Sequence, residues 1–343
     1  MFSKSRKTLY GLLILFLTTA FILSVALGAV RVPIGESIRI LINGITQHSF
    51  FEVDKSYESI IFSVRLPRVI IAILVGAALA ISGTAIQSLF RNPMADPGVI
   101  GISSGASFGA IVVIALGLSS VSLYLTPIFA SLGALLIAYV IYRLSCRDRS
   151  VSMLTMILSG MAVSTFIRGM IAFILTGLND DQMKDYMFWS VGSLADRRWE
   201  HVFLIIVPIL LGMILLCLRA SDLNILLLGD EEAHSVGLNP GKSRKIILFL
   251  SALTTAMAVS VSGSISFVGL IVPHMMRLLV GADNRVLLPV SAFAGAIFLL
   301  LSDLLARLIF APSEISVGVV TSILGAPYFL YLLNKSRKDG IAL

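Results

Sequence analysis

The stretch from Arg65 to Gly109 reads RLPRVIIAILVGAALAISGTAIQSLFRNPMADPGVIGISSGASFG. Two arginines flank Pro67, and no charged residue then occurs from Val69 to Phe90. A helix rises about 1.5 Å per residue, so about 20 such residues cross the hydrocarbon layer of a bilayer. Pro93, Pro97 and Gly98 break the helix after Arg91, because proline removes a backbone donor and glycine relaxes the chain. A second apolar run begins at once. Span, broken turn, span is the grammar of a helical membrane protein, and the rest of the chain repeats it.

Composition points the same way. The chain has 343 residues, 57% of them hydrophobic and 13% charged, whereas soluble domains carry about 25% charged residues. One soluble core could not hide so much apolar surface, and lipid is the natural solvent for it. The fold class is all-α and polytopic, a single transmembrane domain over 1–343. About ten spans are predicted, at 9–30, 68–90, 98–118, 121–142, 152–178, 201–219, 244–262, 265–281, 286–309 and 316–334. Lys4, Arg6 and Lys7 precede a first apolar run too long for a signal peptide, so that run reads as a retained anchor.

The net charge of +7 does not mark a nucleic-acid partner, because the cations fall in short clusters between apolar runs and form no stripe. Lys4, Arg6 and Lys7, then Arg143, Arg147 and Arg149, then Lys242, Arg244 and Lys245, then Lys335, Arg337 and Lys338 all fall on one side of a ten-span topology. The positive-inside rule makes that side the cytoplasm and puts both termini there. Cys146 and Cys217 then sit at cytoplasmic helix ends, where thiols stay reduced.

Several constellations could carry function. The turn from Arg91 to Gly98 is either a gate or a plain turn, since non-helical backbone near the membrane must be wet or covered by protein. Gly101, Gly105 and Gly109 form two overlapping G-x-x-x-G units that let a second helix approach closely. The cytoplasmic loop 220–243 holds a short helix beginning at Asp230, Glu231, Glu232 and Ala233, with Gly237 able to close it in a left-handed conformation. Arg65, Arg68 and Arg307 sit at outer helix ends, where they could grip carboxylates or snorkel to headgroups. Asp303 and Arg307 share a helix face and form a structural pair. Arg168 lies inside a span. A guanidinium there faces a water-filled path or a carboxylate, and could help an anionic cargo pass.

Other motifs are absent. Gly237 to Ser243 resembles a phosphate-binding loop but is one residue short, with Val236 where glycine is required. The histidines His48, His201, His234 and His274 have no metal-ligand spacing. No cofactor or metal site is expected. Ala80 to Thr84 (AISGT) echoes Ser260 to Ser264 (SVSGS) five spans later. An odd offset reverses orientation, so a duplication here would be an inverted repeat, as many transporters have.

The stretch from Arg65 to Gly109 closely resembles the FecCD-type permease family, which includes the membrane subunit of the vitamin B12 importer. WSVGSL at Trp189, LLGDEEAHSVGL at Leu227, SGSISFVGLIVPHMMR at Ser262, DLLAR at Asp303 and EISVGVVTSILGAPYFL at Glu314 extend the likeness over most of the chain after the first span. The resemblance implies a type II ABC importer permease with an inverted repeat, paired with a second permease subunit, identical or paralogous. Two cytoplasmic ATPase subunits would drive it and an extracytoplasmic binding protein would deliver cargo, most commonly ferric siderophore, otherwise cobalamin or haem. It further implies that Arg65, Arg68 and Arg307 receive the binding protein. Asn92 and Met94, with Ser152 and Met153, would form the cytoplasmic gate. Gly229, Asp230, Glu231, Glu232, Ala233, Ser235, Gly237 and Leu238 would couple to the ATPase. The rival from another class is an ion-coupled secondary transporter, which needs acidic or histidine relays inside spans.

Overall fold

The computed structural model describes residues 2–46, 48, 50–147, 150–151 and 153–338. Among the described residues seven helices are long and apolar enough to cross a membrane, and three shorter apolar helices fall where the other predicted spans lie. The path starts with α1 (Phe2–Ala26), α2 (Ile34–Thr46) and α3 (Lys55–Ser59). A π-helical stretch (Ile60–Arg65) joins α3 without a break to α4 (Leu66–Leu89). Next come α5 (Ile102–Ala115), α6 (Leu125–Ser145), α7 (Met153–Leu175), α8 (Asp180–Val191) and α9 (Trp199–Leu218). The connector helices α10 (Ala220–Leu226) and α11 (Asp230–Ser235) lead to α12 (Pro240–Ser262), α13 (Val268–Val280), α14 (Asn284–Leu308) and α15 (Val317–Lys338). A two-residue antiparallel ladder, Cys146–Arg147 with Ser150–Val151, is the only strand pairing among the described residues.

The predicted spans therefore correspond to α1, α4, α5, α6, α7, α9, α12, α13, α14 and α15. Of the helices that do not cross, the sequence reading found α11 and missed α2, α3, α8 and α10. Between the first two predicted spans lie α2, α3 and the π-helical stretch, and residues 220–226 form α10. These segments carry polar residues, and their helicity rests on local caps and tertiary contacts that hydropathy does not report. Asp54 caps α3 by accepting from Ser56 N, and its own N–H donates to Glu36 (3.1 Å). Asn179 and Gln182 form a reciprocal capping box at α8, which satisfies orphan N–H groups at a helix start.

The crossings alternate, and we call the end of the bundle that holds the start of α1 proximal and the other distal. Tyr10 meets Phe293 edge-on and Arg307 reaches the carbonyl of Ser24, so α1 and α14 run parallel. The halves α4–α7 and α12–α15 mirror each other in packing. Helix α4 packs on α13 and α14 of the other half, and α12 packs on α5 and α6. With α9 intervening, α4 and α12 cross in opposite senses, so the repeat is inverted. The AISGT and SVSGS echo falls on these two first helices but differs in conformation: Gly83 is inside α4, whereas Gly263 ends α12 at φ +68°.

Close backbone approach holds the bundle. A Cβ on Gly83 would overlap the carbonyl of Gly269 in α13, and one on Gly76 would overlap that of Gly295 in α14. Gly105 and Gly109 meet Gly133 and Phe129 of α6 in the same way. The glycine stripe of α5 thus packs within the subunit. Gly101 turns the chain into α5 at φ +74° and also faces α6, where a Cβ would meet Ile137 and Ile141. Helices in lipid gain no hydrophobic drive toward each other, so such van der Waals contact must supply the attraction. We predict that Gly83→Ala lowers the thermal unfolding midpoint of the detergent-solubilised protein by several degrees. Gly11→Ala, where nothing lies within 4 Å, leaves it unchanged or raises it, and fluorescence melting curves check both.

Candidate functional site

At the distal end, Arg68 in the first turn of α4 reaches two acids. Its guanidinium holds Asp303 through Nε (3.0 Å) and Nη2 (2.9 Å), and Glu314 through Nη1 (2.6 Å). Arg307, one turn beyond Asp303 on α14, pairs with the same carboxylate at 3.1 Å and donates to the carbonyls of Ser24 and Leu27. Arg65 donates to Val25 (2.6 Å), Ala26 (2.8 Å) and Val30. Two arginines therefore cap the C-terminus of α1, whose last carbonyls lack helical partners and carry partial negative charge.

The sequence reading pictured Arg65, Arg68 and Arg307 as open grips on an outer rim. They do converge on one end of the bundle, but their exposures are only 5%, 7% and 4%. Each is committed to partners in its own chain. Long side chains with apolar stems bury readily when neighbouring carbonyls and carboxylates satisfy their heads, and Asp303 supplies a carboxylate with 0% exposure. The pairing of Asp303 with Arg307 was legible from the i,i+4 spacing. Arg68 and Glu314 joined it across 246 positions of sequence, which no local pattern announces. The three arginines face two acids here, leaving one positive charge in excess. The neighbouring loop adds Arg197, whose guanidinium burial lowers to about 10 while Asp196 partly restores it, and exposed Arg198.

At the proximal end, α11 occupies Asp230–Ser235 and Gly237 ends it at φ +83°. Ala233 is buried, whereas Glu231, Glu232, Ser235 and Gly237 are exposed. Arg244 of α12 grips Asp230 in a bidentate pair (2.8 and 2.5 Å). Helix α10 ties this connector to the transmembrane helices. Asn224 donates to Asp283 (2.8 Å) and accepts from the backbone and side chain of Asn284 (both 2.9 Å). Asn284 accepts from Ser88 at the end of α4 (2.7 Å), and Arg91 donates to the carbonyl of Leu226. Arg91, Ser88, Asn224 and Asn284 were not singled out from the sequence; amides in a loop give no signal until the fold joins them.

The turn after α4 is internally ordered. Asn92 accepts from Met94 N (2.8 Å) and Asp96 from Gly98 N (2.7 Å). The turn also reaches the start of α13, where a Cβ on Gly269 would lie 3.4 Å from Asp96 Oδ2 and from Pro97 Cδ. The breaks in the two halves thus meet, and protein covers the non-helical backbone as lipid requires. Met153 opens α7; Ser152 lies outside the described residues. Arg168 is exposed on α7 and makes no hydrogen bond or ion pair among the described residues. Only 17% of the apolar stretch of α7 is buried, against 89% for the helix through α4.

Ten crossings in inverted halves, with a polar connector bound to the ends of α4 and α14, define a multi-pass transport permease. A family model described as the FecCD transport family matches residues 14–335, and the chain belongs to that family. It is 39% identical over 331 residues to the uncharacterised ABC transporter permease YvrB of Bacillus subtilis, covering 96% of this chain and 94% of that one. It is 44% identical over 281 residues to the hemin transport permease HmuU of Yersinia pestis, covering 81% and 84%. It is 40% identical over 284 residues to the cobalamin import permease BtuC of Halobacterium salinarum, covering 83% and 76%. A solved metal-chelate type ABC transporter in an inward-facing conformation superposes with a TM-score of 0.84 at 33% identity, over 96% of this chain and 99% of that one. The chain is thus a permease subunit of a type II ABC importer, with ATP hydrolysis left to separate subunits.

Removing one partner from a buried ion pair leaves an uncompensated charge and costs about 3–5 kcal/mol. Asp303→Ala leaves Arg307 without a carboxylate and Arg68 with Glu314 alone, and should cost about that much, read as loss of folded protein in a denaturant titration. Glu314→Gln keeps a hydrogen-bond acceptor on a side chain 35% exposed and should cost under about 1 kcal/mol.

Proposed function

We propose that this permease moves a metal chelate, specifically a ferric siderophore, inward across the cytoplasmic membrane. The observation that carries the reading is the likeness to a metal-chelate type transporter over 96% of the chain. Relatives named for hemin, cobalamin and Fe(3+)-citrate support the same substrate class. Cobalamin or haem is the second reading, favoured by the identities to HmuU and BtuC. An ion-coupled mechanism has little to work with, because Asp303 is locked between two arginines.

In this reading the proximal end faces the cytoplasm, in accord with the Lys and Arg clusters there. Residues Gly229 to Leu238 sit against the ATPase, with Glu231, Glu232 and Ser235 as the exposed contacts. ATP binding shifts α11, and the Asn224–Asn284–Ser88 chain passes the shift to α4 and α14. Because Arg91 holds the same connector, the turn carrying Asn92 and Met94 moves with it and, with Ser152 and Met153, opens or closes the path. The under-buried face of α7 meets the second permease subunit, and Arg168 lines the path between the two. At the distal end an acidic binding protein docks on the rim that Arg65, Arg68 and Arg307 shape and charge from within, meeting Arg198 at the surface. Transport is then differential binding between two conformations, with no bond chemistry in this chain.

Uptake by proteoliposomes holding the permease pair, its ATPase and its binding protein tests the cargo. ATP-dependent accumulation of a ferric siderophore, with cyanocobalamin and haemin at background, is expected; the reverse preference would refute the siderophore. Glu231→Lys with Glu232→Lys should cut uptake and ATPase co-purification at least tenfold while leaving the permease folded. Arg168→Ala should slow uptake of an anionic chelate more than that of a neutral one, and equal rates for both would remove Arg168 from the path.

A further inference from the structure

A groove of about 250 Å³ opens between the proximal halves of α6 and α12. Its floor is apolar, built from Leu135 and Leu248, with the exposed rings of Tyr139 and Phe249 as walls. Its mouth carries Arg143, in the last turn of α6, and Lys245, near the start of α12. The two helices cross antiparallel, so both cations stand at one depth. Both are exposed, no acid lines the groove, and no ion pair is given for either among the described residues. An apolar trough with paired cations at the membrane boundary complements one kind of molecule, an acyl chain with an anionic head.

We propose that this groove is a binding site for one anionic phospholipid. The phosphate sits between Arg143 and Lys245, and an acyl chain runs along Leu135, Leu248 and Phe249 toward the bilayer centre. Basic pockets between membrane helices recognise anionic headgroups in this way, each cation strengthening attachment several-fold. The tyrosine ring of Tyr139 suits the headgroup level, where one end of a side chain is apolar and the other wet. Because α6 and α12 belong to different halves and pack on each other, a lipid wedged between them bears on both.

Native mass spectrometry of the full chain, released from micelles containing equal phosphatidylglycerol and phosphatidylcholine, tests the site. Wild type should retain one phosphatidylglycerol in at least tenfold preference to phosphatidylcholine. Arg143→Gln with Lys245→Gln should remove the preference, and Phe249→Ala should lower retention of both lipids; melting curves confirm that each variant is folded. Equal retention of the two lipids by wild type would overturn the proposal, as would an undiminished preference in the double variant. Displacement by inorganic phosphate, with Phe249→Ala inert, would show a bare cationic patch and overturn the groove. Loss of the lipid whenever two copies of the chain associate would show the groove to be a protein interface.

Discussion

Helix α4 can lie at the centre of the bundle only because its backbone touches the backbones of α13 and α14. Gly83 against Gly269 and Gly76 against Gly295 leave no room for a side chain. In lipid there is no hydrophobic reward for bringing helices together, so the attraction has to come from such contact. The consequence is mechanical. The same rigid helix carries Arg68 at its distal end and Ser88 at its proximal end. Whatever moves one end moves the other, along with the helices pressed against it.

Charge is placed to suit this. Among the described residues the one carboxylate wholly buried inside a span, Asp303, is shared by two guanidinium groups, one of which also holds Glu314. Such a cluster is weak evidence for stability, because desolvation offsets much of the attraction. Its value here is position: it joins α4 and α14 to the segment before α15, and Arg307 joins it to the end of α1. At the proximal end the amides and hydroxyl of Asn224, Asn284 and Ser88 link α10 to α14 and α4, with Asp283 and Arg91 beside them.

The crossings were legible because length and hydropathy are dictated by bilayer thickness, and each of the ten runs became a helix. The i,i+4 pair Asp303–Arg307 and the Gly237 cap were legible because both are local. Helices α2, α8 and α10 were not, since they depend on caps and on neighbours distant in sequence. The burial of the arginine rim was not legible. Sequence showed three arginines at helix ends, but their burial depends on carbonyls that appear only when α1 ends beside them. The connection of Arg91 to Leu226, across 135 positions, is likewise a property of the fold alone.

The account stands on the connector α10–α11 lying on the ATP side of the membrane. A single cysteine at Ser235, with Cys146 and Cys217 replaced by serine, can be exposed to a membrane-impermeant maleimide in sealed vesicles of known orientation. Labelling only from the cytoplasmic side, blocked when the ATPase is bound, is the expected result. Labelling from the opposite side would contradict the coupling scheme and the topology together.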